Sequence, residues 1–170
     1  MLLYYIPGCS FLKVAKVHQK WMPITEVIEP PVSFFIPKGM TVTIGTRLYV
    51  RNLKNWKKDH PKDSDSYNDC LSHEHIHASR QAKVGLLVWL FRYILDQKFK
   101  LYEEQLGYYI SIRRRVDRGE PVNPKSIAES MSKNYFGMIT HKKAEEWVNQ
   151  VIKGTWQPRP NDRRLMTERR

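Results

Sequence analysis

Cysteine is nearly absent from this chain: Cys9 and Cys70 are the only two in 170 residues. Two thiols exclude a disulfide framework and argue against a four-ligand structural zinc site. Long apolar stretches are missing too, since no window reaches the roughly 18 to 20 apolar residues that a bilayer-spanning helix requires. The strongest run, Val84 to Leu95, reads as a buried segment or a contact with a partner. Met1 to Cys9 carries no basic residue and is broken by Pro7, so it does not read as a signal peptide. A cytoplasmic protein without a membrane span is the expectation. Acidic residues are scarce as well, 17 Asp and Glu against 29 Lys and Arg, which leaves a formal net charge of +12. Such a balance favours phosphate, acidic protein or anionic wall polymers as partners, and no basic run is long enough to choose among them. Nucleic-acid binding has this charge in its favour but no recognised motif.

What is present is the composition of a folded domain, 41% hydrophobic and 12% aromatic, with 10 Pro and 8 Gly to punctuate its loops. The early chain reads as a β layer. Phe11 to Trp21 is a mixed apolar and basic helix or arm, Ile24 to Glu29 a strand closed by Pro30-Pro31, and Thr41 to Ile44 with Leu48 to Val50 a hairpin across Gly45. Asn52 to Asp69 is polar enough to read as an exposed loop, ending in helix-starting chemistry. Helices then follow from about Asp65–Asp69 to Ala82, from Asp96 to Arg115, from Pro124 behind the cap Asn123 to Asn134, and from Thr140 to about Lys153. The last of these places Ala144, Trp147, Val148 and Val151 on one face. From Gly154 onward, Pro158, Pro160 and five Arg describe a basic tail ordered only by a partner. The fold class expected is α+β: a small N-terminal antiparallel sheet packed on a helix, then a mainly helical remainder.

That first helix carries His73-Glu74-His75-Ile76-His77. Residues four apart lie one above the other on a helix, so His73 and His77 can offer two imidazoles to one metal ion. Glu74 sits one step round, beside the ion, where a carboxylate can take a proton from water. His75 points away from both. Cys70 shares the metal face, and Cys70, His73 and His77 form an alternative zinc set, against which a buried, unliganded thiol is preferred. A catalytic site needs a third protein ligand, and Glu103 and Glu104 on the following helix are its natural sources. Gly107, one turn beyond Glu104, would let two helices approach closely.

With its His-Glu-x-x-His motif and Glu104-Gln-Leu-Gly107-Tyr108, the chain resembles the gluzincin class of zinc metallopeptidases, in particular the small proteins of this kind found in phages and bacteria. Gln81 and the strand-rich segment before the motif helix share in the resemblance. It implies a zincin-like domain over residues 1–153, with 1–22 as an N-terminal arm and 154–170 as a tail. It also implies Zn2+ held by His73, His77 and Glu104, with Glu74 catalytic, and a peptide or cell-wall cross-link as substrate. Tyr108, Tyr109 and His141 are the candidate donors to an oxyanion. Glu103 fits the pattern worse, and no Asp is evidently placed to orient a histidine. The contrasting expectation is an assembly protein, a virion component if phage-encoded, that keeps the metal and binds other chains through its basic arms.

Overall fold

A computed structural model of the chain describes residues 24–31, 33–36, 40–134 and 137–167. The segment expected as a helix or arm from Phe11 to Trp21 lies outside them. β-Branched residues build the hairpin of β2 (Thr41–Ile44) and β3 (Arg47–Val50), which turns at Gly45 with φ +59° and pairs Thr41 with Val50. The sheet is not purely antiparallel. β1 (Glu26–Ile28) pairs in parallel with β3, in the order β1-β3-β2. β1 and β2 do run in opposite directions, but they leave the width of one strand between them. β3, turning back from β2, fills that gap and therefore runs alongside β1.

Leu48 and Val50 point from the sheet into a small core with Trp56, joined by Tyr67, Cys70 and Leu71. Trp56 overturns the expectation of a loop after Asn52, because it anchors a helix, α1 (Leu53–Asp59). The Asn52 side chain caps it by accepting from the Asn55 N–H at 2.8 Å. Ser64 then accepts from the Tyr67 N–H at 3.1 Å and starts α2 (Asp65–Val84), the motif helix. Gly85, with φ +93°, lets the chain break between α2 and α3 (Leu86–Leu95). Asp96 takes the Phe99 N–H at 3.0 Å to begin α4 (Gln97–Asp117). No helix among the described residues is long and apolar enough to cross a membrane.

α2 and α4 lie against each other in opposite directions. Asp69 meets Arg118, Gly107 lies under His73, and Glu103 meets Arg80, so contacts that ascend one helix descend the other. Behind α4, helices α5 (Pro124–Asn134) and α6 (His141–Ile152) close a second core of Ile112, Ala128, Met131, Ala144, Trp147, Val148 and Val151. The C-terminal segment also departs from expectation. It carries α7 (Pro160–Thr167), whose Asp162 is buried and accepts from Arg80 at 2.5 Å, so this part of the chain docks on its own domain.

α3 carries the run expected as a buried segment or a contact with a partner: Trp89 is buried, while Leu87, Val88, Phe91, Ile94 and Leu95 are exposed.

Burial, followed by the charge of Glu74, pushes the Cys70 thiol up to about 12. An unfolded chain releases that proton near the ordinary thiol value of about 8.5. The folded form binds more protons between these values, so the stabilisation is full below about pH 8.5 and is lost as pH rises toward 12. In a Cys9→Ser chain, a thiol-specific disulfide reagent at pH 8 is expected to label Cys70 slowly in buffer and rapidly in denaturant. Fast labelling of the folded chain would contradict this.

Candidate metal centre

Because α2 and α4 run antiparallel, the two histidines of one helix face the paired glutamates of the other. Glu104 Oε2 lies 3.5 Å from His73 Nε2, and Glu104 Oε1 lies 3.8 Å from His77 Nε2. The donor atoms of His73, His77 and Glu104 all fall within 4.8 Å of one another, so these three could hold a metal ion. A tetrahedral ion with bonds of about 2.0–2.1 Å separates its donors by about 3.3 Å, and the two nitrogen–oxygen distances are already close to that. Glu104, and not Glu103, is the carboxylate in this group. Among the described residues this is the one such group, and Cys70 is not part of it.

Three features make the convergence possible. The first is Gly107: a Cβ there would lie 2.5 Å from the His73 ring, so only glycine leaves room for the imidazole. The second is Tyr93 of α3, whose hydroxyl donates a very short hydrogen bond to Glu104 Oε1. Burial and then the Glu104 charge hold this phenol well above its usual range, so it remains a donor. The third is Glu103, fully buried, whose Oε1 accepts from Arg80 Nε at 2.9 Å and Nη2 at 2.6 Å. Its other oxygen faces His77 Nδ1 at 4.0 Å, and both of those buried atoms lack a hydrogen-bond partner. The carboxylate that faces a histidine of the set is thus Glu103, about 1 Å beyond hydrogen-bond length, and not an aspartate.

Glu74 lies on the sheet side of the same cavity. Thr41 Oγ1 donates to its Oε1 at 2.5 Å and Thr43 Oγ1 to its Oε2 at 2.6 Å. Residues two apart on a strand share a face, so a Thr-x-Thr strand can hold both carboxylate oxygens at once. Gln81 fixes that strand: its Nε2 donates to Thr43 O at 2.7 Å, and its Oε1 accepts from the Gly45 N–H at 2.7 Å. Desolvation works most strongly against protonation of His73, but its hydrogen bond to Glu104 and the charges of Glu74 and Glu104 together raise its pKa.

His73, His77, Glu104, Glu74, Thr41, Thr43 and Tyr93 open on a cavity of about 520 Å³, lined also by Met40, Trp89, Leu90, Tyr108 and Ile127. Of the three candidate oxyanion donors, Tyr108 alone lines it, its ring edge-on to His73 at 5.0 Å. Tyr109 lies instead against Trp156, and the half-exposed His141 lies beside Glu145. His75 is buried and outside the donor group. The roles of Thr41, Thr43, Tyr93 and Arg80 are absent from the sequence pattern, although the Thr-x-Thr alternation was a visible signal. Comparison with protein-family models, curated proteins and solved structures finds no match to this chain.

Gly107→Ala sets a helix-propensity gain of about 1 kcal/mol against overpacking of about 1–3 kcal/mol. The fold is therefore expected to survive while the His73 ring is driven from its place. Isothermal titration should show Zn2+ affinity falling by at least about tenfold with little change in Tm. Glu103→Gln keeps an acceptor for Arg80 and removes the charge facing His77, and it should weaken Zn2+ binding by about 10- to 100-fold. Unchanged affinity in both variants would show that neither contact shapes the site.

Proposed function

We propose that the chain is a zinc-dependent hydrolase of peptide or amide bonds, in which His73, His77 and Glu104 hold the metal and Glu74 carries the proton. One observation carries this reading: a His-His-Glu donor set, with His77 and Glu104 buried and His73 half-buried, and a hydroxyl-clamped Glu74 line the same cavity. Zinc bound there would supply Lewis acidity, polarising a carbonyl and lowering the pKa of water to about 7.

The chain's own residues do the rest. Glu74 takes the proton as the water oxygen bonds to the carbonyl carbon, and returns it to the nitrogen as the C–N bond breaks. Thr41 and Thr43 keep that carboxylate from turning away between the two transfers. Tyr93 holds Glu104 in its rotamer, and Tyr108 borders the space where the carbonyl oxygen becomes negative. Trp89, Leu90, Met40 and Ile127 give the cavity apolar walls that exclude competing water and suit a hydrophobic side chain next to the cleaved bond. The gluzincin resemblance supports the same ligand set, and it rests on His73, Glu74, His77, Gln81, Glu104 and Gly107.

Glu74→Gln is expected to leave zinc content at one ion per chain while reducing peptide hydrolysis by more than about a thousandfold. His73→Ala should lose both. Elemental analysis of the purified proteins, beside turnover of a quenched peptide library, reads the two outcomes separately. Zinc retained with no hydrolysis by the unaltered chain would favour the assembly protein.

A further inference from the structure

α3 is apolar on both sides, and its two sides do different things. The inner side gives Trp89, Leu90 and Tyr93 to the cavity. The outer side exposes Leu87 by 81%, Val88 by 55%, Phe91 by 66%, Ile94 by 75% and Leu95 by 64%. At about 100° per residue these five fall within an arc of about 120°, so they form one stripe along the whole ten-residue helix. Among the described residues, nothing buries that stripe. A contiguous patch of large hydrocarbon side chains is a docking surface or a liability, not ordinary surface.

Shape and charge indicate what docks there. Exposures this high on five adjacent side chains describe a ridge, since the walls of a groove would shade its floor. A ridge fits a flat, deformable surface better than it fits a helix seeking a cleft. Beside the stripe the exposed cations are Arg92 and Lys98, since Lys83 is turned to Asn161 and Asp162 of α7 and Lys100 to the cavity, and the one acid between residues 83 and 102 is Asp96. Asp96 caps α4 through Oδ1 and pairs with Arg92 through Oδ2 at 3.4 Å, a solvent-exposed pair that adds little. The Arg92 guanidinium lies over the Phe99 ring at 4.2 Å, which holds a positive charge beside the stripe. A second copy of the chain would bring the same two cations and another net +12 against the first.

We infer that α3 is a membrane-docking ridge that seats the protein on an anionic lipid bilayer. The side chains of Leu87, Phe91 and Ile94 enter the acyl boundary, and the two cations meet headgroup phosphates. About 15 Å long, the helix lies in the interface and does not cross it. The cavity then sits about one helix diameter, roughly 10 Å, from the lipid, which directs it to substrates held at a membrane surface. The ridge is separate from the metal ligands, so this inference stands or falls apart from the hydrolase reading.

The test is sedimentation of the full chain with phosphatidylcholine vesicles and with mixed phosphatidylcholine–phosphatidylglycerol vesicles. Binding to the mixed vesicles is expected, at least about tenfold weaker to the neutral ones and weakened by salt. The triple variant Leu87→Glu, Phe91→Glu, Ile94→Glu alters exposed positions only, keeps its circular dichroism and zinc content, and should lose binding by at least about tenfold. Four outcomes overturn the proposal: equal binding by the variant, equal binding to neutral vesicles, a chain that binds no vesicle and sediments as a dimer, or vesicle binding that appears only when residues 1–22 are deleted.

Discussion

The close antiparallel contact of α2 and α4 is the constraint from which the rest of this structure follows. At one point the His73 ring rests so near the α4 backbone that a Cβ on residue 107 would lie 2.5 Å from it. One turn away, Glu103 accepts two hydrogen bonds from Arg80 on one oxygen and forms an ion pair with it in the interior. A buried pair of this kind adds little net stability, because desolvation offsets its attraction, but breaking it costs about 3–5 kcal/mol. Its effect is on register. A slip of α4 along α2 would strand Glu103 and leave Arg80 with Asp162 alone, so the alignment that brings Glu104 to both histidines is held by charges that take no part in the donor set. The fan of Arg114 and Arg118 on Asp69 fixes the far end of the same helix pair.

The sheet contributes through polar contacts as much as through its core. β2 is an edge strand, and an open edge is an invitation to unwanted pairing. The Gln81 side chain takes Thr43 O and the Gly45 N–H, two groups that a neighbouring strand could otherwise use. The strand is thereby tied to the motif helix, and its two threonines stay over Glu74. A hydrogen bond to a charged group is worth about 1.5–3 kcal/mol, enough that two of them set the carboxylate's rotamer.

Much of this was legible in the sequence, and what was legible is local. His73 and His77 share a helical face by spacing alone, and Ser64, Asp96 and Thr140 mark helix starts by side-chain chemistry. Gly107 was readable as a point of close approach. The remainder depends on distant pairings. Nothing near Glu103 in sequence announces Arg80 and Asp162, which lie 23 positions before it and 59 after it (103 − 80 and 162 − 103). The mixed sheet follows from β3 slipping between two strands, a matter of connection and not of propensity. The loop expected after Asn52 became α1 because one buried tryptophan outweighed its polar surroundings. Val84 to Leu95 is the most instructive case: hydrophobic content on every side of a helix does not say which side the rest of the chain will cover.

That ambiguity in α3 has a physical consequence for the site. Trp89 stacks on Tyr93 with ring centroids 4.6 Å apart and meets the His77 ring edge-on at 5.9 Å, while the Tyr93 hydroxyl holds Glu104. The helix is ten residues long, joined to α2 through a glycine at φ +93° and to α4 through the single cap Asp96. A rotation of α3 about its axis would therefore move its outer ridge and the tyrosine on Glu104 together. Rings stacked at this distance transmit such a rotation, because close-packed side chains have discrete arrangements and do not deform smoothly. The angle of the helix is fixed from within: Trp89 packs against His77 and, at 6.2 Å, against Phe99, and Arg92 lies over Phe99, so the inner face holds Glu104 in place without a contribution from the ridge.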